Sequence, residues 1–326
     1  MGNKKISLII PTIRDLTFLE EWKEILLNHK DELEIIIVED FPNHTVKIPR
    51  WLKARVFCHK DINKTLGKDK WIIQKKGDAI RSFGFLMAKG DIIITIDDDC
   101  FPANKHFFNK HLLNLHKHTS SNKFYDIFKK ELNLAPRGYP YEIRKPKEVV
   151  LNLGLWTHNP DFDAITELMV TGNWNKKVYN PGTVDEGLLI PISIMNVAFK
   201  RKILPAYYQP ICGPYERFSD IWSGFIVKKI IDHLGDCMTV GAPYIVHRRR
   251  SNTLNNLQKE VKGLTFNETM WRVIDACEFS RNTYSDCYKE MAQHFFNMGE
   301  ELNNKYLIKL SKAMVMWLKW IKKLQN

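Results

Sequence analysis

At 326 residues, with 49 Lys plus Arg against 37 Asp plus Glu, the chain carries a formal charge of +12 and a pI near 9.3. That length suffices for a full α/β core with an appendage, and the charge favours an anionic partner: a nucleotide, a nucleic acid or a membrane surface. Six cysteines with no CxxC pair argue against a zinc finger or a disulfide framework and suit a reducing cytoplasm.

No long apolar region with a small-residue cleavage site follows Met1–Lys5, so no signal peptide is expected, and no apolar run is long enough to span a bilayer. The first strand is expected over Lys5–Ile10, Ile-rich and with little alternation, as in a buried parallel strand. It breaks at Pro11 and Thr12, where such a strand delivers its loop to a ligand, and Arg14 sits just beyond. A helix from Leu16 to about His29 and a second strand over Leu33–Val38 follow, the latter ending in Glu39 and Asp40. A carboxylate there reads a ribose or base edge, or is simply an acidic turn. Asp61 to Gly67, containing Asn63, is a turn and helix entry. Lys75 to Met87 then carries Lys76, Asp78 and Arg81 at helical spacing. Lys76 and Arg81 fall about one turn apart, suited to neutralising a diphosphate, to orienting nearby acids, or to a solvated basic face.

The chain centres on Gly90–Pro102. Ile92–Ile96 is short, β-branched and uncharged, which predicts a central parallel strand, and Asp97, Asp98 and Asp99 leave its end in succession. Open α/β sheets bind ligands outside the carboxyl ends of their strands. Adjacent carboxylates repel, and Mg²⁺ or Mn²⁺ holding a diphosphate is the usual compensation; an acidic turn capping a helix is the alternative. His106, His111, His116 and His118 lack a Cys or HExxH context and read as a polar helix surface.

Arg137 to Tyr141 has the Gly and Pro of a shaped loop. Trp156, Asp161 and Asp163 combine aromatic and carboxylate groups, as a pyranose pocket does, although a Trp also simply fills cores. Leu188–Phe199 reads as an apolar strand pair. Asp220 precedes a helix running to Ile231, as a functional acid or as its N-cap. Gly241–His247 is a strand delivering His247, followed by Arg248, Arg249 and Arg250. Lys305 to Leu324 has an apolar stripe with lysines opposite, expected to pack on the main domain or on a partner subunit in a homo-oligomer. The expected division is a catalytic domain over 1–265 and a helical extension over 266–326.

These residues resemble the UDP-arabinopyranose mutases, or reversibly glycosylated polypeptides. The resemblance runs through Ile9–Arg14, Asp61–Asn63, Leu66–Gly67, Thr95–Phe101, Arg137–Pro140, Gly154–Trp156, Pro160–Ala164, Met195–Phe199, Asp232–Gly235, Pro243–His247 and Ala313–Trp317, nearly the whole chain. It implies a GT-A type nucleotide-sugar-binding fold, α/β with a mostly parallel central sheet flanked by helices and a C-terminal helical extension. It also implies a metal and UDP site at Asp97, Asp98 and Asp99 with His247 as a further ligand, and reversible glycosylation of Arg137 with Asp163 or Asp161 as its base. Pro11, Thr12, Arg14, Asp40, Asp61, Asn63, Lys76 and Arg81 are then expected around the nucleotide, and Trp156 and Asn196 around the sugar. The chain departs from the family on the sugar side, at Phe218–Trp222, Asn152–Trp156 and Ser193–Val197, and has three arginines after His247. The implied activity is interconversion of UDP-arabinopyranose and UDP-arabinofuranose. The alternative is a metal-dependent transferase passing arabinose to an acceptor, such as modified DNA, with Asp220 as base.

Overall fold

The computed structural model describes residues 5–119, 137–138, 141, 146–170, 179–248 and 251–325. Its elements are β1 (Ile6–Thr12), α1 (Lys23–Asn28), β2 (Leu33–Glu39), β3 (Arg55–Phe57), α2 (His59–Leu66), α3 (Arg81–Met87), β4 (Ile92–Ile96), β5 (Cys100–Pro102), α4 (Phe107–Leu115), β6 (His118–Thr119), β7 (Lys147–His158), α5 (Ala164–Met169), β8 (Gly182–Thr183), β9 (Asn196–Lys200), α6 (Ser219–His233), β10 (Cys237–His247), α7 (Thr253–Asp275), α8 (Tyr284–Glu301) and α9 (Lys305–Gln325). The β-branched runs of β1, β2 and β4 are covered on both faces, which is why they lack polar alternation.

The strand order is β3-β2-β1-β4-β9-β7-β10-β5. It is a mixed sheet. β1 runs parallel to β2 and to β4, and β7 parallel to β10, but β9 lies antiparallel between β4 and β7 and joins the two parallel blocks. The expectation of a mostly parallel sheet therefore holds within each block and fails between them. Because Ile9 pairs with Thr95 in parallel register, the ends of β1 and β4 emerge side by side. That register brings the loop after β1 to the three acids after β4.

Three element boundaries differ from expectation. Leu188–Phe199 contributes a strand only at its end, β9. The Lys75–Met87 segment is a 3₁₀ turn over Asp78–Ile80 followed by α3, and Lys76 is exposed at φ +61°, so it shares no helical face with Arg81. The proposed division at 265/266 falls inside α7, one continuous helix, so the helical segment starts at Thr253.

That segment is welded to the sheet domain by aromatic contacts. Phe266 of α7 stacks on Tyr215 at 4.3 Å between ring centres, and Trp317 of α9 stacks on Tyr208 at 5.1 Å. Buried indoles need acceptors: Trp317 donates to the Pro205 carbonyl at 3.1 Å and Trp320 to Asp69 at 3.1 Å. Gln325 then donates to the Leu86 and Ala88 carbonyls at the end of α3, at 2.7 and 3.1 Å. Among the described residues, no helix is long and apolar enough to cross a membrane.

Candidate active site

The ends of β1 and β4 build one acidic centre. Asp98 accepts hydrogen bonds from the Thr12 hydroxyl at 2.8 Å and the Ile13 amide at 3.1 Å, and pairs with the Arg14 guanidinium. The same guanidinium lies 3.5 Å from Asp99. Asp97 pairs with Arg81, a fully buried side chain that also donates to the Thr95 hydroxyl at 2.7 Å, the Ile194 carbonyl at 3.2 Å and the Asp78 carbonyl at 3.0 Å. Burial opposes the Arg81 charge, but Asp97 and Asp78 outweigh it and raise its pKa. Arg81 is therefore a fixed counter-ion that orients Asp97, the second of its expected roles. Pro11 is buried in β1, and Thr12 serves Asp98 rather than pointing at a ligand.

His247, at the end of β10, completes this centre. Its Nδ1 lies 2.9 Å from the Asn159 carbonyl, which can only accept, so Nδ1 donates there, and Nε2 faces Asp99, 3.8 Å away. A carbonyl holding one imidazole nitrogen while the other faces an open position is the usual second-shell support of a metal-ligating histidine. Burial raises the pKa of Asp98, opposed by Thr12 and Arg14. Burial and then the Asp97 charge raise that of Asp99, opposed by His247 and Arg14. Clustered oxygen donors with more negative charge than their surroundings neutralise fit a hard divalent cation such as Mg²⁺ or Mn²⁺. Arg14 supplies part of that positive charge here, bridging Asp98 and Asp99 from a partly exposed position.

A second group of acids lies beyond Arg81. Asp220, in the first turn of α6, accepts from the Ile194 amide at 3.3 Å, while the Ile194 carbonyl takes Arg81. It is no N-cap, since Phe218 holds that position. Burial, then the charges of Asp78 and Asp161, push Asp220 well above the usual carboxylate range. Burial likewise raises Asp78, which faces Arg81, Asp97 and Arg217. Asp161 thus belongs to this group. The spacing of Asp78 from Arg81 is visible in the sequence, but nothing there marks Arg217, which sits at φ +66° and donates to Glu260 at 2.7 Å.

Other expected site residues are committed elsewhere. Asn196 is fully buried, donating its amide to the Leu155 and Pro243 carbonyls at 3.0 and 2.9 Å and accepting from His111 at 3.0 Å, which corrects its assignment to the sugar. His111 is likewise buried, not on a polar surface, and burial lowers its pKa to about 3. Asp163 caps α5, accepting from the Ile165 and Thr166 amides at 3.0 Å each; burial opposes its charge, but these bonds prevail and lower its pKa, which makes it a poor base. Asp40 bonds His59 at 2.6 Å and the Gly77 amide at 2.9 Å, so both its oxygens are engaged. Asn63 accepts from Lys75 at 3.1 Å, and Asp61, in the first turn of α2, accepts from the amide of the N-cap Cys58 at 2.9 Å and pairs with His44 at 2.9 Å. Trp156 is buried, its ring 5.9 Å from Tyr179, with no open face for a sugar. Arg137 lies exposed in a turn before Gly138 at φ +94°, and Tyr139 and Pro140 are outside the described residues.

Beside the acidic centre, a cleft of about 450 Å³ opens between the loops after β1 and β2, lined by Ile13, Arg14, Phe41, Thr45 and Val46 among others. Its place at the carboxyl ends of parallel strands and its size suit a nucleoside.

The family described as "Reversibly glycosylated polypeptide" matches residues 1–326. The chain is 34% identical over 333 aligned positions to the protein named "Probable UDP-arabinopyranose mutase 1" of Pisum sativum, covering 96% of this chain and 89% of that one. It is equally 34% identical to "UDP-arabinopyranose mutase 1" of Arabidopsis thaliana, covering 96% and 91%. Among solved structures it is similar to glucosyl-3-phosphoglycerate synthase from Mycobacterium tuberculosis, crystallised with Mn²⁺, UDP and phosphoglyceric acid, at a TM-score of 0.47, 15% identity and coverage of 83% and 79%. On the match along its entire length, the chain belongs to the reversibly glycosylated polypeptide family.

Proposed function

We propose that the protein is a UDP-arabinopyranose mutase, interconverting the pyranose and furanose forms of UDP-arabinose. The observation that carries this reading is the resemblance along the whole chain to relatives bearing that name. Asp97, Asp98, Asp99 and His247 would hold Mn²⁺ or Mg²⁺, with the uridine in the neighbouring cleft. A bound divalent ion supplies charge neutralisation for the departing diphosphate.

The chain's own groups do the rest. Arg14, partly exposed, is placed to transfer from Asp98 and Asp99 to the diphosphate, whose oxygens its fork fits. Arg81 keeps Asp97 oriented. Asp220, its pKa raised by burial and neighbouring acids, is the group that would lend a proton to the sugar ring oxygen on opening and recover one on closure. Reversible glycosylation of Arg137 requires a carboxylate to take a guanidinium proton, because the charged group is a poor nucleophile. Asp161 suits that role better than Asp163, which is held as a helix cap. A cytoplasmic location agrees with six free thiols.

The transferase alternative drew on the arginine run after β10. Arg248 is engaged there, its guanidinium 3.9 Å from the Phe101 ring centre and bonded to Glu21, while Arg249 and Arg250 lie outside the described residues. The test is incubation with Mn²⁺ and UDP-arabinopyranose alone, followed by chromatography of the nucleotide sugar. A furanose product that disappears in Arg137→Ala is expected. Turnover only after an acceptor is added would establish the transferase instead, and no turnover under either condition would overturn both.

A further inference from the structure

Behind the cleft wall lies a group of side chains that the proposed reaction does not use. His44, Cys58 and Asp61 each present one ligand atom, and the three atoms lie within 4.8 Å of one another. They come from the loop after β2, the residue before α2 and the first turn of α2. His44 is half exposed, Asp61 partly exposed and Cys58 fully buried, so the group opens to solvent on one side only.

The orientation of His44 is informative. Its Nδ1 lies 3.1 Å from Glu39 and its Nε2 2.9 Å from Asp61. With both ring nitrogens facing carboxylates, the nitrogen toward Asp61 needs positive charge between the two, from a proton or from a metal ion. Glu39 is anchored to act as the supporting carboxylate: burial opposes its charge, but the Thr45 and Val46 amides, at 2.7 and 2.9 Å, and His44 hold its pKa below the usual value. A carboxylate, an imidazole it orients, and a thiol with a second carboxylate on the far side form the arrangement by which proteins bind zinc.

We propose that His44 Nε2, Cys58 Sγ and an Asp61 carboxylate oxygen form a site for Zn²⁺ or a similar borderline transition metal, with Glu39 as the outer partner of His44. Thiolate donors prefer such ions to Mg²⁺ or Mn²⁺, so this site and the carboxylate-rich centre at β4 select different metals. Zinc bonds of about 2.0–2.3 Å draw tetrahedral ligands to within about 4 Å of each other, a closure that the exposed His44 can supply. Burial and Asp61 raise the Cys58 pKa in the free protein. The metal reverses this by replacing the thiol proton, which leaves to solvent as the sulfur–metal bond forms. Three protein ligands leave the fourth position to water. The loop that would be tied down also carries Phe41, Thr45 and Val46 of the cleft wall.

The test is titration of the metal-free, full-length protein with Co²⁺ at neutral pH, read by absorbance. Thiolate-to-cobalt charge transfer in the near ultraviolet, saturating at one equivalent and displaced by Zn²⁺, is the expected result. The band should vanish in Cys58→Ser, and its affinity should fall at least tenfold in His44→Gln, whose exposed position spares the fold. It should persist in Asp98→Asn, which separates it from the acid centre. Cobalt binding without a thiolate band, or a band of equal affinity in His44→Gln, overturns the proposal.

Discussion

Lowering the pH from 7.5 to 5.0 tests the buried network around His111. Its Nε2 meets the Asn196 carbonyl oxygen at 3.0 Å and its Nδ1 meets the Asn152 amide nitrogen at 2.8 Å, so the neutral ring donates to one and accepts from the other. A second proton would face an amide N–H with no acceptor. The pKa is lowered from 6.5 to about 3, chiefly by burial. The unfolded chain therefore binds more protons than the folded one between these values, so stability is full above pH 6.5 and is lost as the pH falls toward 3. At pH 5.0 the loss is about 2 kcal/mol, from 1.36 kcal/mol for each unit below 6.5. Urea unfolding of wild type and His111→Gln at both pH values isolates this contribution, because the other titrations cancel in the difference. Wild type should lose about 2 kcal/mol more than the variant. Equal losses would show that the ring is protonated within the fold and would refute the network.

Gly154→Ala attacks the same network from the other side: its new Cβ would lie 2.2 Å from the Asn196 amide nitrogen, so unfolding free energy should fall by about 1–3 kcal/mol in urea titrations. Asp99→Asn, a side chain with few structural ties, should leave the melting temperature nearly unchanged while weakening Mn²⁺ binding roughly tenfold or more by calorimetry. Arg14→Gln should move two affinities in opposite directions: Mn²⁺ alone binds more tightly once the competing cation is gone, and UDP with Mn²⁺ binds more weakly. Weakening of both would show that Arg14 supports the acids rather than standing in for a metal.

The sheet core was readable because strands covered on both faces must be uniformly apolar, as in Ile92–Ile96 and Leu33–Val38. The acidic centre was readable because three successive carboxylates are costly without a cation. What sequence hid was long-range pairing. Nothing local distinguishes a sugar-binding Asn196 from one whose amide is consumed by His111, 85 positions away, and by two carbonyls. The same holds for Asp163, whose cap role depends on where α5 begins, and for Lys76, which a positive φ removes from the helix face that its spacing suggested. The expected boundary at 265/266 falls inside α7, which runs unbroken from Thr253 to Asp275 even through Gly263.

The central claim is that the acids at the tip of β4 hold a divalent ion on which the nucleotide diphosphate rests. Anomalous scattering from crystals soaked with Mn²⁺ and UDP addresses it directly. The account predicts a manganese peak among Asp97, Asp98, Asp99 and His247, diphosphate density against it, uridine in the cleft beside Phe41 and Arg14 turned away from Asp98. A manganese ion elsewhere, or a nucleotide bound apart from these four side chains, would contradict it.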